Sequence, residues 1–273
     1  MTTNDIMNIN YNARLNINTI DDLGHQYYLT LHSLFTDILS YSTKYIHTDI
    51  CGSYYICTRG NTIFIYFEEN YLWINRKLNF NPLRAIVESI QRPVKAYRNS
   101  DHPWKCNSSF LRVWKTMNKD IENTVESIIN SHHMSTLLSQ DSENPISLIE
   151  NIVCVGYSAG AVLCGLCVED LSYLFKDRYT LNIYGYGFGC PRFLKGKLHP
   201  IVAKRFKNFY VIRNANDLIT SIPSKIWGYS HGPNKPITLT PLYKYNCIEA
   251  HSPESYSRET TRLLFSQTDR EVI

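Results

Sequence analysis

Three segments of the chain carry hydrophobic residues at the three- and four-residue spacing of an amphipathic helix. The first opens at Asp21 and Asp22 and runs to residue 47, the second spans 110–129, and the third spans 254–265. Residues 1–20 are polar and rich in asparagine, so we expect them to form a flexible N-terminal segment. The remaining residues, 21–273, are predicted to form a single domain.

Short runs of β-branched and aromatic residues predict the strands. They lie at 54–58 and 62–67, joined by Arg59-Gly60-Asn61 as a β-hairpin, and at 151–155, 179–188, 209–213 and 236–245. Residues 68–107 are predicted to be irregular, with Pro82, Pro93 and Pro103 as breakers. Because the later strands alternate with helices, the pattern favours an α/β fold with a mostly parallel central sheet flanked by helices.

Composition narrows the range of functions. The 273 residues carry a net charge of +4 without a basic stripe, so nucleic acid is not an expected partner. No apolar run is long enough to span a membrane, and no secretory signal pattern is visible, so we expect a cytoplasmic protein or one released without a signal. The eight cysteines are expected to be mostly reduced and buried. Cys164 and Cys167 form a lone C-x-x-C pair, which predicts core packing rather than a metal site.

The most informative chemical motif is Gly156-Tyr157-Ser158-Ala159-Gly160, which fits the pattern G-x-S-x-G. A buried strand precedes it and a predicted helix follows it to residue 175, which is the context that this nucleophile elbow requires. In that context the serine hydroxyl projects above the sheet at a helix N-terminus, where the helix dipole favours a developing oxyanion. Ser158 is therefore the candidate nucleophile and the amide of Ala159 a candidate oxyanion donor. The alternative is an incidental serine in a strand-to-helix turn.

A nucleophilic serine needs a base, and the base needs a carboxylate that orients it. After an elbow of this type the chain order is serine, acid, histidine. Asp217 follows the predicted strand 209–213 and is the candidate acid, with a turn or capping aspartate as the alternative. His231 and His251 come later. His251 lies just before the final helix, where the base is expected, and His231 is interpreted as a structural loop histidine.

At this point the chain resembles the class 3 lipases, the fungal-type triacylglycerol lipases and their relatives. Besides the elbow, the matches are residues 188–192, similar to G-[FS]-P-R; 213–223, similar to N-x-x-D-x-[VI]-x-x-[LI]-P; Gly228, Tyr229 and His231, similar to a Gly-Tyr-x-His segment; and His251 followed by Tyr256. The resemblance covers roughly residues 22–265. It implies an α/β-hydrolase fold and a catalytic triad of Ser158, Asp217 and His251.

The chain departs from the family pattern beside the expected oxyanion hole. In the family, Arg-Gly and then Ser, Thr or Asp follow a strand, and the last of these residues supplies the second oxyanion amide. This chain has Glu68-Glu69-Asn70 instead. We expect Asn70, or else Glu68 or Glu69, to supply that amide, although two acids there would oppose the negative charge. Arg59-Gly60-Asn61-Thr62 mimics the motif but lies at the hairpin turn. The residue before the nucleophile, usually histidine, is Tyr157.

The next segment, residues 71–80, resembles the lid of the family, a short amphipathic helix with an exposed tryptophan. Leu72, Trp73 and Ile74 are the residues predicted to shield the site and contact substrate. The alternative is that Leu72 and Trp73 belong to the core.

The resemblance implies a serine-dependent hydrolase of lipid carboxylic esters, acting through an acyl-enzyme at a membrane or micelle surface, without a cofactor or metal. The alternative is a weak or inactive lipase scaffold with a lipid-binding or interaction role. Glu68 and Glu69 favour the scaffold, and the ordered retention of serine, acid and histidine favours the enzyme. A serine peptidase or thioesterase would rest on analogy of fold alone.

The lid interpretation of Trp73 gives a first testable prediction. Because a lid exchanges water for lipid when it opens, Trp73→Ala should lower hydrolysis of micellar ester more than hydrolysis of a soluble short-chain ester. If Trp73 were instead a buried core residue, its truncation would lower the free energy of unfolding by about 3–5 kcal/mol and lower both activities together. Both rates and the melting temperature should be measured. A large fall in melting temperature with an unchanged ratio of rates would contradict the lid.

Overall fold

The structure is a computed structural model that describes residues 44–48, 52–67, 93–95, 102–138, 148–241, 246–247 and 249–268. Within these ranges no helix is both long and apolar enough to cross a membrane. The predicted flexible segment 1–20 and the predicted first helix up to residue 43 lie outside the described residues.

The elements are numbered in chain order. The strands are β1 (Lys44–Thr48), β2 (Gly52–Arg59), β3 (Thr62–Phe67), β4 (Pro93–Lys95), β5 (Lys105–Asn107), β6 (Asn151–Tyr157), β7 (Asn182–Phe188), β8 (Leu194–Lys195), β9 (Phe209–Asn214), β10 (Tyr229–Ser230) and β11 (Ile237–Leu239). The helices are α1 (Ser108–Leu138), α2 (Ala159–Phe175), α3 (Pro200–Arg205) and α4 (Pro253–Thr268). Three single 3₁₀ turns lie at Ile219–Ser221, Lys225–Trp227 and Glu249–His251.

A central sheet has the strand order β1-β2-β3-β6-β7-β9-β11. In this sheet β1, β2 and β3 pair antiparallel. The neighbouring pairs β3–β6, β6–β7, β7–β9 and β9–β11 are all parallel. The carboxyl ends of the parallel strands therefore meet at one edge, where ligand sites of open α/β sheets form. A smaller antiparallel sheet has the order β10-β8-β5-β4.

The helix after the elbow lies deep in the core. Most of α2 is buried, and it contacts β6 and β7. The Sγ atoms of Cys154 on β6 and Cys167 on α2 are 3.7 Å apart. About one turn further along α2, Asp170 accepts a 2.6 Å hydrogen bond from the Nε1 atom of Trp114 on α1. The small residues of α2 allow this close approach of the helix to the sheet.

Local patterns predicted several elements correctly. The hairpin is confirmed: β2 and β3 pair Arg59 with Thr62 across the two turn residues Gly60 and Asn61. The helix predicted at 110–129 is confirmed and is longer, and α2 and α4 are likewise present. The predicted strand 179–188 begins at Asn182 instead. Of the predicted strand 236–245, Ile237–Leu239 form β11, and residues 242–245 lie outside the described part of the chain.

Two predictions were wrong. Residues 44–47, assigned to the first helix, lie in β1 because backbone pairing with β2 outweighs the helical spacing of the side chains. Residues 68–107, predicted to be irregular, contain β4 and β5. Pro93 is tolerated there because it opens β4, the edge strand of the smaller sheet, where a missing N–H costs little.

Candidate active site

Ser158 lies in the sharp turn between β6 and α2. Its backbone has φ 54° and ψ −118°, a strained conformation for a residue with a side chain. Its N–H donates a 2.8 Å hydrogen bond to the carbonyl of Phe188, the last residue of β7. A Cβ atom on Gly156 would lie 2.2 Å from the Gly160 carbonyl oxygen, so the turn requires glycine two residues before the serine. These contacts hold the hydroxyl at the carboxyl edge of the sheet.

Asp217 follows β9 at the same edge and is only 1% exposed. Its Oδ1 accepts a 2.9 Å hydrogen bond from the Ile219 N–H, and its Oδ2 accepts a 2.6 Å bond from the Tyr256 hydroxyl. Burial raises the pKa of Tyr256 well above its usual value, and the Asp217 carboxylate raises it further. Tyr256 is therefore a neutral phenol that donates to the carboxylate and keeps it hydrogen-bonded in a buried setting.

His251 joins the other two side chains. Its Nδ1 atom is 2.9 Å from Asp217 Oδ2, and its Nε2 atom is 2.9 Å from Ser158 Oγ. An ionised carboxylate only accepts hydrogen bonds, so the proton of the neutral ring belongs on Nδ1. The lone pair on Nε2 then accepts the proton of the serine hydroxyl. This arrangement suits removal of that proton when the oxygen attacks an electrophile.

Side chains from strand ends hold the segment that carries His251. Asn214, the last residue of β9, donates through Nδ2 to the Ala250 carbonyl at 2.9 Å and to the Ser255 hydroxyl at 2.9 Å. Tyr157, the last residue of β6, donates through its hydroxyl to the His251 carbonyl. The candidate base therefore lies on a short 3₁₀ turn that side chains connect to the sheet.

Gly189 leaves room for the imidazole. It follows β7, which lies between β6 and β9 in the sheet, and so it falls between the positions of Ser158 and Asp217. Its φ of +60° favours glycine, and a Cβ atom there would lie 3.1 Å from His251 Cε1. A larger residue at this position would crowd the ring that bridges the nucleophile and the acid.

His231 has a separate, buried environment. Its Nε2 atom lies 2.9 Å from the Cys190 carbonyl and donates to it. Burial, and after it the positive charge of Arg192, lower the pKa of His231 to about 4. This histidine is thus neutral at ordinary pH and holds the loop after β7, whereas His251 is the one in contact with Ser158.

The oxyanion and lid predictions fall mostly outside the described residues. Ala159 is the first residue of α2, and the N–H groups of a first helical turn have no carbonyl partner within the helix, so its amide suits an oxyanion donor. Glu68, Glu69 and Asn70, the residues expected to give the second amide, lie outside the described part of the chain, as do Leu72, Trp73 and Ile74.

The two cysteines of the C-x-x-C pair lie on α2 in the core. Cys164 and Cys167 are buried free thiols whose pKa values burial raises well above the usual range. Among the described residues, no group of three or more histidine, cysteine or acidic side chains is arranged to hold a metal ion.

Comparison with known protein families shows to which family this chain belongs. The model of the family described as Lipase (class 3) matches residues 80–227, more than half of the chain. The chain belongs to the class 3 lipase family. The resemblance of its motifs to that family is thereby confirmed. A search of curated proteins finds no significant match.

Solved structures of fungal lipases share the fold of this chain. The lipase from Rhizopus microsporus var. chinensis is 18% identical over 69% of this chain and 57% of that one, with a TM-score of 0.52. A mutant form of MDLA from Penicillium cyclopium is 17% identical over 75% and 65%, with a TM-score of 0.51. The Rhizomucor miehei lipase–propeptide complex is 16% identical over 77% and 65%, with a TM-score of 0.50. The chain spans less than two thirds of the length of each of these structures. Their shared fold confirms the predicted α/β-hydrolase fold.

Sequence reasoning missed three residues that shape the site. Asn214 opens the pattern that contains Asp217, and Gly189 belongs to the matched stretch 188–192, so position within a motif could have marked both. Nothing local marked the contact from Tyr157 to His251, because the two residues are 94 positions apart.

The buried His231 makes stability depend on pH. Its folded pKa of about 4 lies below its ordinary 6.5, so the unfolded chain binds an extra proton between these values and stability falls as pH drops through that window. His231→Gln keeps a neutral donor and removes this titration. The free energy of unfolding should therefore fall by about 2–3 kcal/mol more in the wild type than in the variant between pH 7 and pH 4.5.

Denaturant unfolding of both proteins at the two pH values measures the difference. Other titrating groups are common to both proteins and cancel in the comparison. Equal losses of stability in wild type and His231→Gln would show that His231 does not titrate in this window.

Proposed function

We propose that this chain is a serine-dependent carboxylic ester hydrolase that acts on lipid esters. One observation carries the proposal: a continuous hydrogen-bonded relay runs from Ser158 Oγ through His251 to the Asp217 carboxylate, with both contacts at 2.9 Å. Side chains at these distances can pass a proton to and from the serine oxygen without rearrangement. Membership of the class 3 lipase family supports a lipid ester as the substrate.

The reaction follows from this geometry. Ser158 Oγ attacks the ester carbonyl carbon while its proton moves to His251 Nε2, and Asp217 stabilises the resulting imidazolium through Nδ1. Collapse of the tetrahedral intermediate breaks the bond to the alcohol, which takes the proton from His251. Water then attacks the acyl-enzyme with His251 again as base, which releases the fatty acid and restores Ser158. Every proton in these steps is carried by the protein or by water.

The negative charge of the tetrahedral intermediate needs donors. The Ala159 amide at the start of α2 is the first, and the positive end of the helix dipole adds to it. The second remains our sequence prediction, the amide of Asn70 or that of Glu68 or Glu69.

An exposed apolar surface supports action at a lipid interface. Six large hydrophobic side chains among the described residues are exposed, and three of them lie within 218–227, the segment that starts next to Asp217. Leu218 is 55% exposed, Ile226 92% and Trp227 54%. Lys225, also exposed, precedes the last two and suits anionic headgroups. We propose that segment 218–227 contacts the surface of a membrane or micelle beside the site.

Replacing the nucleophile tests the reaction. Ser158→Ala should leave the fold intact and lower kcat for p-nitrophenyl esters by roughly 10³-fold or more, because the attacking oxygen is lost. His251→Ala should be about as damaging, since the two side chains act as one unit. Turnover should be measured with esters of graded chain length, together with labelling by a fluorophosphonate probe.

His231→Ala is the matched histidine control, with its melting temperature measured because the side chain is buried. It should retain most of the turnover per folded molecule. Equal probe labelling of wild type and Ser158→Ala would remove Ser158 from the mechanism. Absence of turnover and labelling in the folded wild type would instead favour the inactive scaffold.

Replacing exposed apolar side chains tests the interface. The double variant Ile226→Ser, Trp227→Ser should lower hydrolysis of micellar or vesicle-bound ester several-fold, because apolar surface no longer leaves water on docking. Hydrolysis of a soluble short-chain ester should be unchanged, since neither side chain belongs to the relay.

Ile201→Ser provides the control, because Ile201 is another exposed isoleucine but lies on α3. It should alter neither rate. Equal effects of the control and the double variant on micellar hydrolysis would show that segment 218–227 has no special contact with lipid.

A further inference from the structure

Tyr157 is the residue next to the candidate nucleophile, yet its side chain contacts the candidate base. It is the last residue of β6 and is 3% exposed. Its hydroxyl donates to the main-chain carbonyl of His251, and its ring stacks on the imidazole with centroids 5.4 Å apart and planes at 29°. One side chain thus contacts both the backbone and the ring of the same histidine.

A second aromatic contact fixes the ring of Tyr157 itself. Tyr256, which donates to Asp217, meets it edge-on at 5.9 Å with an interplanar angle of 79°. Edge-to-face pairs of this kind add stability beyond burial of area. The orientation of the Tyr157 ring is therefore coupled to the tyrosine that holds the acid.

In the part of the chain that the structure describes, the backbone at residues 249–251 has no strand pairing that would set its distance from Ser158. It is a single 3₁₀ turn, Glu249–His251, and two consecutive carbonyls are taken by side chains from strand ends. Asn214 holds the Ala250 carbonyl from the end of β9, and Tyr157 holds the His251 carbonyl from the end of β6. Because Tyr157 is covalently joined to Ser158, its hydroxyl ties the base to the strand that carries the nucleophile.

We propose that Tyr157 is a positioning residue for His251. Its hydroxyl sets the height of the histidine backbone above the sheet, and its ring sets the plane in which Nε2 faces Ser158 Oγ. This role rests on the proposed function, in which His251 is the base. It acts on the proton-transfer step and not on substrate binding.

Variants at Tyr157 separate the two contacts. Tyr157→Phe removes the hydroxyl and keeps the ring, and should lower kcat on a soluble p-nitrophenyl ester by about 10-fold with KM within twofold. Tyr157→Leu removes both the hydroxyl and the ring, and should lower kcat by about 100-fold. The kcat of Tyr157→Phe should therefore lie between those of the wild type and Tyr157→Leu. Labelling of Ser158 by the fluorophosphonate should slow in the same order.

Tyr179→Phe is the matched control. It also removes a tyrosine hydroxyl hydrogen bond, a 3.2 Å contact with Asn130 on α1, remote in sequence from the relay. It should leave kcat, KM and labelling unchanged. Melting temperatures of all variants show that the comparison is made between folded proteins.

Deuterium exchange of the peptide that contains residues 249–252 tests the tether without using turnover. Uptake should rise in Tyr157→Phe and stay at the wild-type level in Tyr179→Phe. If the wild type neither turns over nor labels, the proposed function fails and exchange alone decides whether Tyr157 holds this segment. Unchanged exchange overturns the positioning role, and so does wild-type kcat in both folded Tyr157 variants or an effect confined to KM.

Discussion

A buried carboxylate is the constraint on which the rest of the site depends. Asp217 is 1% exposed, and an unpaired charge so far from water would cost several kcal/mol. Its two oxygens are satisfied by the Ile219 N–H, the Tyr256 hydroxyl and the His251 ring. These donors come from the turn after β9, from α4 and from the 3₁₀ turn before it. Satisfying one charge therefore fixes three chain segments relative to one another.

The nucleophile is held by a different constraint, the strained turn at Ser158. A non-glycine residue with such a backbone costs on the order of 1–3 kcal/mol and persists only where its surroundings over-determine it. Here the β7 carbonyl takes the Ser158 N–H, and Gly156 lets the strand approach the first turn of α2. Since β6, β7 and β9 are neighbours, the two constraints meet at one edge of the sheet. Gly189, between them, leaves the space that the imidazole occupies.

The fold could be predicted from sequence where short-range physics decides the structure. The hairpin at Gly60 and Asn61 and the helix α2 both follow from local residue types, and the alternation of elements gave the α/β class. The prediction failed where pairing with another strand, rather than the residue pattern of the segment itself, decides the structure. Residues 44–47 have helical spacing but pair with β2, and Pro93–Lys95 is too short to stand out until β5 lies beside it.

For the candidate site, the sequence by itself determined the residue types and their order: a serine in a G-x-S-x-G turn after a buried strand, an aspartate after a later strand, and a histidine just before the final helix. That much is local, because an elbow and a strand end are written in neighbouring residues. Only the tertiary structure showed that His251 contacts both Ser158 and Asp217, and that Tyr157, Asn214 and Gly189 hold or accommodate it. Those contacts join residues tens of positions apart, and their geometry exists only once the parallel strands are side by side.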